Sequence, residues 1–217
     1  MEPGHTRLPA GWIEVICGSM FSGKTEELLR RIRRAEYAHQ RIQLFKPHID
    51  TRYSPDAIVS HNANSFNART VARAADIPQH TSQAEVVGID EAQFFDEEIV
   101  AVVRKLANTG KRVIVAGLDM DYKGNPFGPM PQLLAIAEFI TKLHAICVRT
   151  GGLAHFSYRK PHVAAGQVKL GAHQQYEPLS REAYLKATQH DQTMNSAREP
   201  AQTPADPPGG EASPNDA

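Results

Sequence analysis

One stretch of the sequence has the residue types and the spacing needed to bind phosphate. It has the sequence Gly18-Ser19-Met20-Phe21-Ser22-Gly23-Lys24-Thr25 and fits the pattern G-x-x-x-x-G-K-[ST]. In such a loop successive backbone N–H groups point at an anion, and the following helix adds a partial positive charge. Lys24 would place a full charge near a transferred phosphoryl group, and the Thr25 hydroxyl could ligate Mg²⁺. The loop therefore predicts a nucleoside triphosphate site with a metal ion.

Two acidic residues form a second candidate for chemistry. Asp90 and Glu91 directly follow the apolar run Val86-Val87-Gly88-Ile89, which is typical of a buried strand. Parallel strands present ligands at their carboxyl ends, so Asp90 could lie beside Thr25 and hold Mg²⁺ through water. Glu91 would point elsewhere and could accept a proton from a hydroxyl nucleophile. The alternative is that both acids only begin a helix, whose dipole favours negative charge there.

The elements that must position these groups alternate along the chain. Short apolar runs predict five strands, at residues 12–17, 41–45, 86–89, 113–117 and 143–148. Helical periodicity is found at residues 24–40, 96–108 and 133–139. Residues 48–75 are polar and poorly periodic. This alternation predicts an α/β fold, a P-loop parallel sheet flanked by helices.

The pattern changes twice towards the C-terminus. We expect a nucleotide-binding α/β domain over residues 11–146, a small appended subdomain over residues 147–187 and a disordered tail over residues 188–217. The tail is rich in Gln, Asn, Ser, Pro, Glu and Asp. Such a segment cannot bury enough apolar surface to offset the entropy lost on ordering.

The composition of the 217-residue chain limits the class of protein. Lys+Arg and Asp+Glu are equal at 24 each, without the basic excess typical of electrostatic nucleic-acid binding. Two cysteines cannot build a disulfide scaffold and fit a reducing compartment. The apolar runs are shorter than the roughly 20 residues of a membrane-spanning helix, and the first ten residues lack a signal-peptide core. We expect a cytoplasmic protein without a nucleic-acid or membrane partner.

Taken together and in order, the motifs resemble those of the type II thymidine kinases, the cytosolic and bacterial class. The resemblance spans about residues 12–184. Besides the phosphate loop, it rests on Asp50-Thr51-Arg52, Asp90-Glu91-Ala92-Gln93-Phe94-Phe95, Gly117-Leu118-Asp119, Pro126-Phe127-Gly128, and Leu170-Gly171-Ala172 with Tyr176. It implies transfer of the ATP γ-phosphoryl group to the 5′-hydroxyl of thymidine or deoxyuridine, for pyrimidine deoxynucleoside salvage and DNA precursor synthesis.

The resemblance also implies roles for individual residues. Glu91 would be the general base, with Lys24 and Arg52 as further catalytic residues. The ATP site would comprise the whole phosphate loop together with Asp50, Arg52, Asp90 and Gln93, and Thr25 and Asp90 would hold Mg²⁺. The thymidine pocket would have walls made by Met20, Phe94, Leu118 and Tyr122. A C-terminal lasso would close it with Gln167, Val168, Lys169, Leu170, Gly171 and Tyr176. Core packing is the alternative for Tyr122 and Phe94, and is the role we expect for Phe95.

The sequence differs from the family that it resembles at the positions of a structural zinc site. Many members hold zinc with two Cys-x-x-Cys-like pairs, and the matching positions here are Cys147, Thr150, Ser180 and Ala183. One thiolate cannot supply the four ligands of such a site. A site rebuilt from the histidines nearby in sequence is the alternative, namely His144, His155 and His173. We expect no zinc, and a lasso held by packing and hydrogen bonds.

The resemblance further implies a homotetramer and feedback inhibition by dTTP. Two other functions stay open. A P-loop ATPase acting on nucleic acid is supported by the arginines of residues 30–34, although a solvated helix face explains them as well. A regulatory module that binds nucleotide without catalysis is the other alternative, against which the intact Lys24, Thr25, Asp90 and Glu91 argue.

Overall fold

The structure, a computed structural model, describes residues 10–48, 57–59, 65–161 and 175–196. Its strands are β1 (Trp12–Gly18), β2 (Ile42–Pro47), β3 (Ala57–Val59), β4 (Ser65–Asn67), β5 (Arg69–Val71), β6 (Val86–Ile89), β7 (Arg112–Gly117), β8 (Phe139–Leu143), β9 (Ala145–Ile146), β10 (Leu153–Ala154), β11 (Phe156–Arg159) and β12 (Tyr176–Leu179). Its α-helices are α1 (Lys24–Tyr37), α2 (Glu98–Asn108), α3 (Met130–Ile136) and α4 (Arg181–Ser196).

A six-stranded sheet with the order β5-β2-β6-β7-β1-β8 forms the centre of the fold. All of its neighbouring strands are parallel, which confirms the predicted α/β class. Because the strands are parallel, β1 and β6 end at the same edge of the sheet. The phosphate loop leaves β1 there, and Asp90 follows β6 there.

Helices cover both faces of the sheet. Helix α1 buries Leu28, Leu29, Ile32 and Ala35, a spacing that aligns one apolar face, against one side of the strands. Helices α2 and α3 cover the other side in a larger cluster that includes Ile99. Burial of a Leu or Ile side chain stabilises a fold by about 1.5–3 kcal/mol. These two layers therefore fix the edge at which the motifs meet.

The prediction for the last sheet strand was wrong. Strand β8 covers Phe139–Leu143, whereas the apolar pattern predicts a strand at 143–148 and a helix that extends to 139. The reason is that β8 is an edge strand, in which Phe139 and Ile140 are 58% and 54% exposed. Its residues therefore lack the continuous buried run that identifies the central strands, and residues 145–146 pair with β10 in a separate hairpin.

The C-terminal part has its own small core. Strands β9 to β12 form two antiparallel pairs, and α4 packs on them through Ala183, Tyr184 and Ala187. Helix α4 continues to Ser196, so the expected loss of structure from residue 188 does not hold for residues 188–196. Residues 197–217 and most of the expected lasso lie outside the described residues. In the described part, none of the helices has the length and apolar character needed to span a membrane.

Candidate active site

The phosphate loop has a backbone that only glycine accommodates at its two ends. Gly18 has φ 140°, and a Cβ atom there would lie 2.1 Å from the carbonyl oxygen of Leu143. Gly23 has φ 82° and begins helix α1. Both values lie where side chains are strained. The glycines at these positions therefore reflect the path of the chain from β1 around the loop into α1.

Lys24 bridges its own loop. Its Nζ donates a hydrogen bond to the carbonyl oxygen of Ser19 at 2.7 Å, and the Ser22 hydroxyl donates to the same oxygen at 2.8 Å. The ammonium group therefore lies over the loop, at the N-terminus of helix α1. Loop amides, the helix dipole and this cation are together suited to binding an anion.

The C-terminal part also holds the loop, which the sequence motifs do not indicate. The backbone N–H of Met20 donates to the Ser157 hydroxyl at 2.9 Å, and the Ser19 hydroxyl contacts the carbonyl oxygen of Ala154 at 3.4 Å. Ser157 is buried on β11. In sequence, the only sign of this contact is a serine between two aromatic residues, Phe156 and Tyr158.

Asp90 and Thr25 lie together, as their positions after β6 and in α1 predict. The Thr25 hydroxyl donates to Oδ2 of Asp90 at 3.1 Å, and the other carboxylate oxygen accepts from the backbone N–H of Glu91 at 3.0 Å. Asp90 is buried. A hydroxyl and a carboxylate at the phosphate loop are the oxygen donors that Mg²⁺ prefers, so this pair fits the metal.

Glu91 is turned away from its neighbour Asp90 by an unusual backbone. It has φ 51°, in the left-handed region, and is half-buried. Its Oε2 accepts a 2.5 Å hydrogen bond from the side-chain amide of Gln93. Two consecutive carboxylates therefore have different hydrogen-bond partners, Thr25 for Asp90 and Gln93 for Glu91.

Gln93 connects Glu91 to the end of β7. Its Oε1 accepts from the backbone N–H of Leu118 at 2.9 Å, and its side chain is 3% exposed. The motif places Gln93 in the ATP site, whereas these hydrogen bonds orient Glu91. We infer a positioning role for Gln93.

Two of the family-like motifs enclose Gln93. A Cβ atom at Gly117 would lie 2.8 Å from Gln93 Oε1 and 2.7 Å from Met130 Sδ. Gly128 has φ 48°, and a Cβ atom there would lie 2.6 Å from the carbonyl oxygen of Gln93. These glycines are therefore explained by close packing around the Glu91–Gln93 segment.

The expected nucleoside walls have different surroundings. Phe94 is 41% exposed and packs edge-to-face on Phe127 at 5.6 Å, and Phe95 is buried in the core as expected. Tyr122 is 39% exposed, and the Arg159 guanidinium lies 5.4 Å from its ring centre. Met20, Leu118 and Tyr176 are half-buried. The remaining predicted site residues lie outside the described residues: Asp50, Arg52, Gln167, Val168, Lys169, Leu170 and Gly171.

An ion pair crosses the root of the phosphate loop. Lys142 on β8 pairs with Asp119, which follows β7, at 2.7 Å. These two strands flank β1, so the pair spans the end of the strand that carries the loop.

The thiol of Cys17, on β1, lies close to this ion pair. Burial, and then the negative charge of Asp119, raise the pKa of the Cys17 thiol to about 11, so this cysteine stays protonated at neutral pH.

The positions that match a zinc site form a hydrogen-bonded cluster around one sulfur. Burial by itself raises the pKa of the Cys147 thiol, but hydrogen bonds from Thr150, from Ser180 and from the Arg149 backbone lower it to about 6. Over the described ranges, no group of three or more His, Cys, Asp or Glu side chains could hold a metal ion. One thiol with hydroxyl neighbours does not fit a four-ligand zinc site.

Three of the four arginines within residues 30–34 have local partners. Arg30 pairs with Glu27 at 2.6 Å, and Arg31 pairs with both Glu27 and the buried Glu14. Arg33 lies over the ring of Phe66 at 5.8 Å. Local contacts therefore explain much of this cluster without nucleic acid.

Comparisons with known proteins find a matching family model and several similar proteins. The family model described as thymidine kinase matches residues 11–184. The chain is 59% identical over 181 residues to a thymidine kinase of Bacteroides thetaiotaomicron, covering 83% of this chain and 90% of that protein. It is 54% identical over 183 residues to one of Porphyromonas gingivalis, covering 84% and 89%.

Two further matches differ in strength. A thymidine kinase of a Rhodothermus species is 52% identical over 193 residues, covering 89% of this chain and 90% of that protein. Among solved structures, domain III of the Thermotoga maritima replication initiation protein DnaA matches with TM-score 0.38 and 12% identity, over 64% of this chain and 56% of that chain. That structural match is too distant to bear on activity.

Proposed function

This chain belongs to the thymidine kinase family, and we propose that it transfers the γ-phosphoryl group of ATP to the 5′-hydroxyl of thymidine. The observation that carries the proposal is the division of work between two adjacent acids. Asp90 is bonded to Thr25 at the phosphate loop, and Glu91 is bonded to Gln93 on the other side. In this proposal Asp90 serves the phosphate donor and Glu91 serves the acceptor.

The donor side is built to bind and neutralise phosphate. The amides of the phosphate loop and the Lys24 ammonium would hold the β- and γ-phosphates, while Thr25 and Asp90 would hold Mg²⁺. When bound, Mg²⁺ neutralises charge on the phosphate oxygens. Asp50 and Arg52 are proposed to lie at the same phosphates, on the resemblance alone.

The acceptor side supplies the base. In the proposed reaction, the Glu91 carboxylate accepts the proton of the 5′-hydroxyl while the oxygen of that hydroxyl bonds to the γ-phosphorus. The bond from that phosphorus to the bridging oxygen breaks, and ADP leaves with the electron pair. Gln93 holds the Glu91 carboxylate in place through its short hydrogen bond.

The nucleoside is proposed to bind between Met20, Leu118, Phe94 and Tyr122. Half-exposed apolar side chains next to the general base Glu91 are suitable walls for a flat pyrimidine ring. Residues 167–171 and Tyr176 are proposed to recognise its polar edge. Family resemblance also supports deoxyuridine as a second substrate, dTTP as an inhibitor and a cytoplasmic homotetramer. A lasso without zinc is proposed because the chain departs from the family there, with Thr150, Ser180 and Ala183 at three of the four matching positions.

A panel of nucleosides tests the proposal directly. We expect thymidine monophosphate to form from thymidine, ATP and Mg²⁺. Replacing Glu91 by Gln should lower kcat by about 10²- to 10⁴-fold, the usual contribution of a general base, with ATP binding retained. The exposed Glu97→Gln variant is the control. ATP hydrolysis stimulated by DNA without a nucleoside product would instead favour the nucleic-acid ATPase, and near-normal turnover of Glu91→Gln would refute the base.

A further inference from the structure

A lysine is buried at the edge of the sheet where the site is built, and the mechanism above does not use it. Lys46 lies near the end of β2 and is 1% exposed. Lysine is almost never fully buried, because its ammonium loses the water that stabilises its charge. A buried lysine beside a phosphate and metal site therefore calls for a function connected with negative charge.

The strand pattern shows which face of the sheet Lys46 occupies. Leu44 packs with Leu28 and Ile32 of α1, whereas Phe45 belongs to the core cluster on the opposite face. Side chains alternate between faces along a strand. Lys46 therefore shares the face of Leu44, which is the face covered by the helix that begins at the phosphate loop.

The neighbouring strand places Asp90 next to Lys46 on that face. The backbone N–H of Asp90 donates to the carbonyl oxygen of Phe45 at 3.0 Å, which continues the parallel register of β2 and β6 by one residue. A Cβ atom at Gly88 would lie 2.3 Å from Leu44, so residues 88 and 90 also face α1. The bond from Thr25 to Asp90 agrees with this orientation.

We propose that Lys46 is a positioning residue of the metal site. Its ammonium offsets the buried carboxylate of Asp90 and keeps that carboxylate turned towards Thr25, where Mg²⁺ would bind with ATP. Attraction between opposite charges is stronger inside a protein than in water. A single buried ammonium can therefore influence the orientation of the Asp90 carboxylate strongly. This inference rests on the proposed function and adds a residue that acts through Asp90.

Loss of the Lys46 charge should weaken the Mg²⁺-dependent contribution to ATP binding and leave the contribution of the phosphate loop unchanged. Asp90 would then be a buried carboxylate without this neighbouring cation, and such a group is driven to turn towards water. The Mg²⁺-dependent part of ATP binding should weaken. The part supplied by the loop amides and Lys24 should persist, because these groups lie on the loop itself.

The test compares Lys46→Met with Lys46→Arg and with Lys105→Met, an exposed lysine on α2 that serves as the control. Thermal unfolding is followed with ATP in EDTA and with ATP at increasing Mg²⁺. We expect Lys46→Met to raise the half-saturating Mg²⁺ concentration by about 10- to 100-fold, the usual effect of losing a partner of a metal ligand. The stabilisation by ATP in EDTA should not change, Lys46→Arg should restore most of the Mg²⁺ response, and Lys105→Met should match the wild type.

Several results would overturn the inference. An unchanged half-saturating Mg²⁺ concentration in Lys46→Met would do so, and a lower one would mean that the ammonium competes with the metal. If Lys46→Met does not fold, the double variant Lys46→Met/Asp90→Asn removes both buried charges. It should respond to Mg²⁺ as Asp90→Asn alone does, and a further loss would contradict action through Asp90. A wild-type protein that ATP stabilises equally with and without Mg²⁺ would overturn the proposed function, and this inference with it.

Discussion

Replacing Gln93 by Leu tests whether the site depends on the orientation of Glu91. Leucine keeps the approximate size of the side chain and fits its buried surroundings, but it removes both hydrogen bonds of the Gln93 amide. Glu91 would keep its carboxylate and lose the donor that fixes it. The backbone N–H of Leu118 would lose its acceptor.

The expected magnitudes follow from these two losses. An N–H left without its acceptor in a partly buried place costs about 1–2 kcal/mol. For a chain of this size, that lowers Tm by about 2–8 °C. A general base contributes about 10²- to 10⁴-fold, and Gln93→Leu should forfeit only part of it, so we expect kcat to fall by about 10- to 100-fold.

The assay is ADP release with saturating thymidine over a range of ATP concentrations, which gives both kcat and the KM for ATP, together with calorimetry of the same samples. The KM for ATP should not change, because the hydrogen bonds of Gln93 go to Glu91 and Leu118. In a Glu91→Gln background, Gln93→Leu should cause little further loss of kcat. A raised KM for ATP with normal kcat would refute the positioning role and return Gln93 to the ATP site.

Three further predictions concern the phosphate loop, the pKa of Cys147 and zinc. Gly18→Ala should abolish ATP-induced stabilisation in thermal unfolding, because its Cβ would lie 2.1 Å from the carbonyl oxygen of Leu143. Gly151→Ala is the matched control, since Gly151 also has a positive φ, 73°, but has open space around it. Equal behaviour of the two variants would contradict the clash. Because folding lowers the pKa of Cys147 from 9.0 to about 6, its contribution to stability is full above pH 9 and is lost as pH falls through 6. Denaturant unfolding of wild type and Thr150→Val over this range should show a smaller pH dependence in the variant, and identical profiles would exclude the hydrogen bond as the cause. Exhaustive zinc chelation with Mg²⁺ restored should leave folding and turnover unchanged, whereas stoichiometric zinc in the purified protein would contradict the metal-free cluster.

The sequence predicts the parts of the site that depend on neighbours in the chain. Residues 18–25 lie between an apolar strand and an amphipathic helix, and the conformations that Gly18 and Gly23 permit allow the loop between them. The same holds for Asp90, because the carboxyl end of a buried strand is recognisable from the run before it. The class of the fold follows from the alternation of such runs.

Only the tertiary structure decided the contacts that cross between strands. Three such contacts depend on strand order and register. The backbone N–H of Leu118 donates to Gln93, the backbone N–H of Met20 in the phosphate loop donates to Ser157, and Lys46 lies next to Asp90. The edge strand β8 was misplaced for a related reason, since an apolar run does not indicate which of its sides is covered. Local conformation is set by adjacent residues, whereas partners distant in sequence are chosen by how the layers pack.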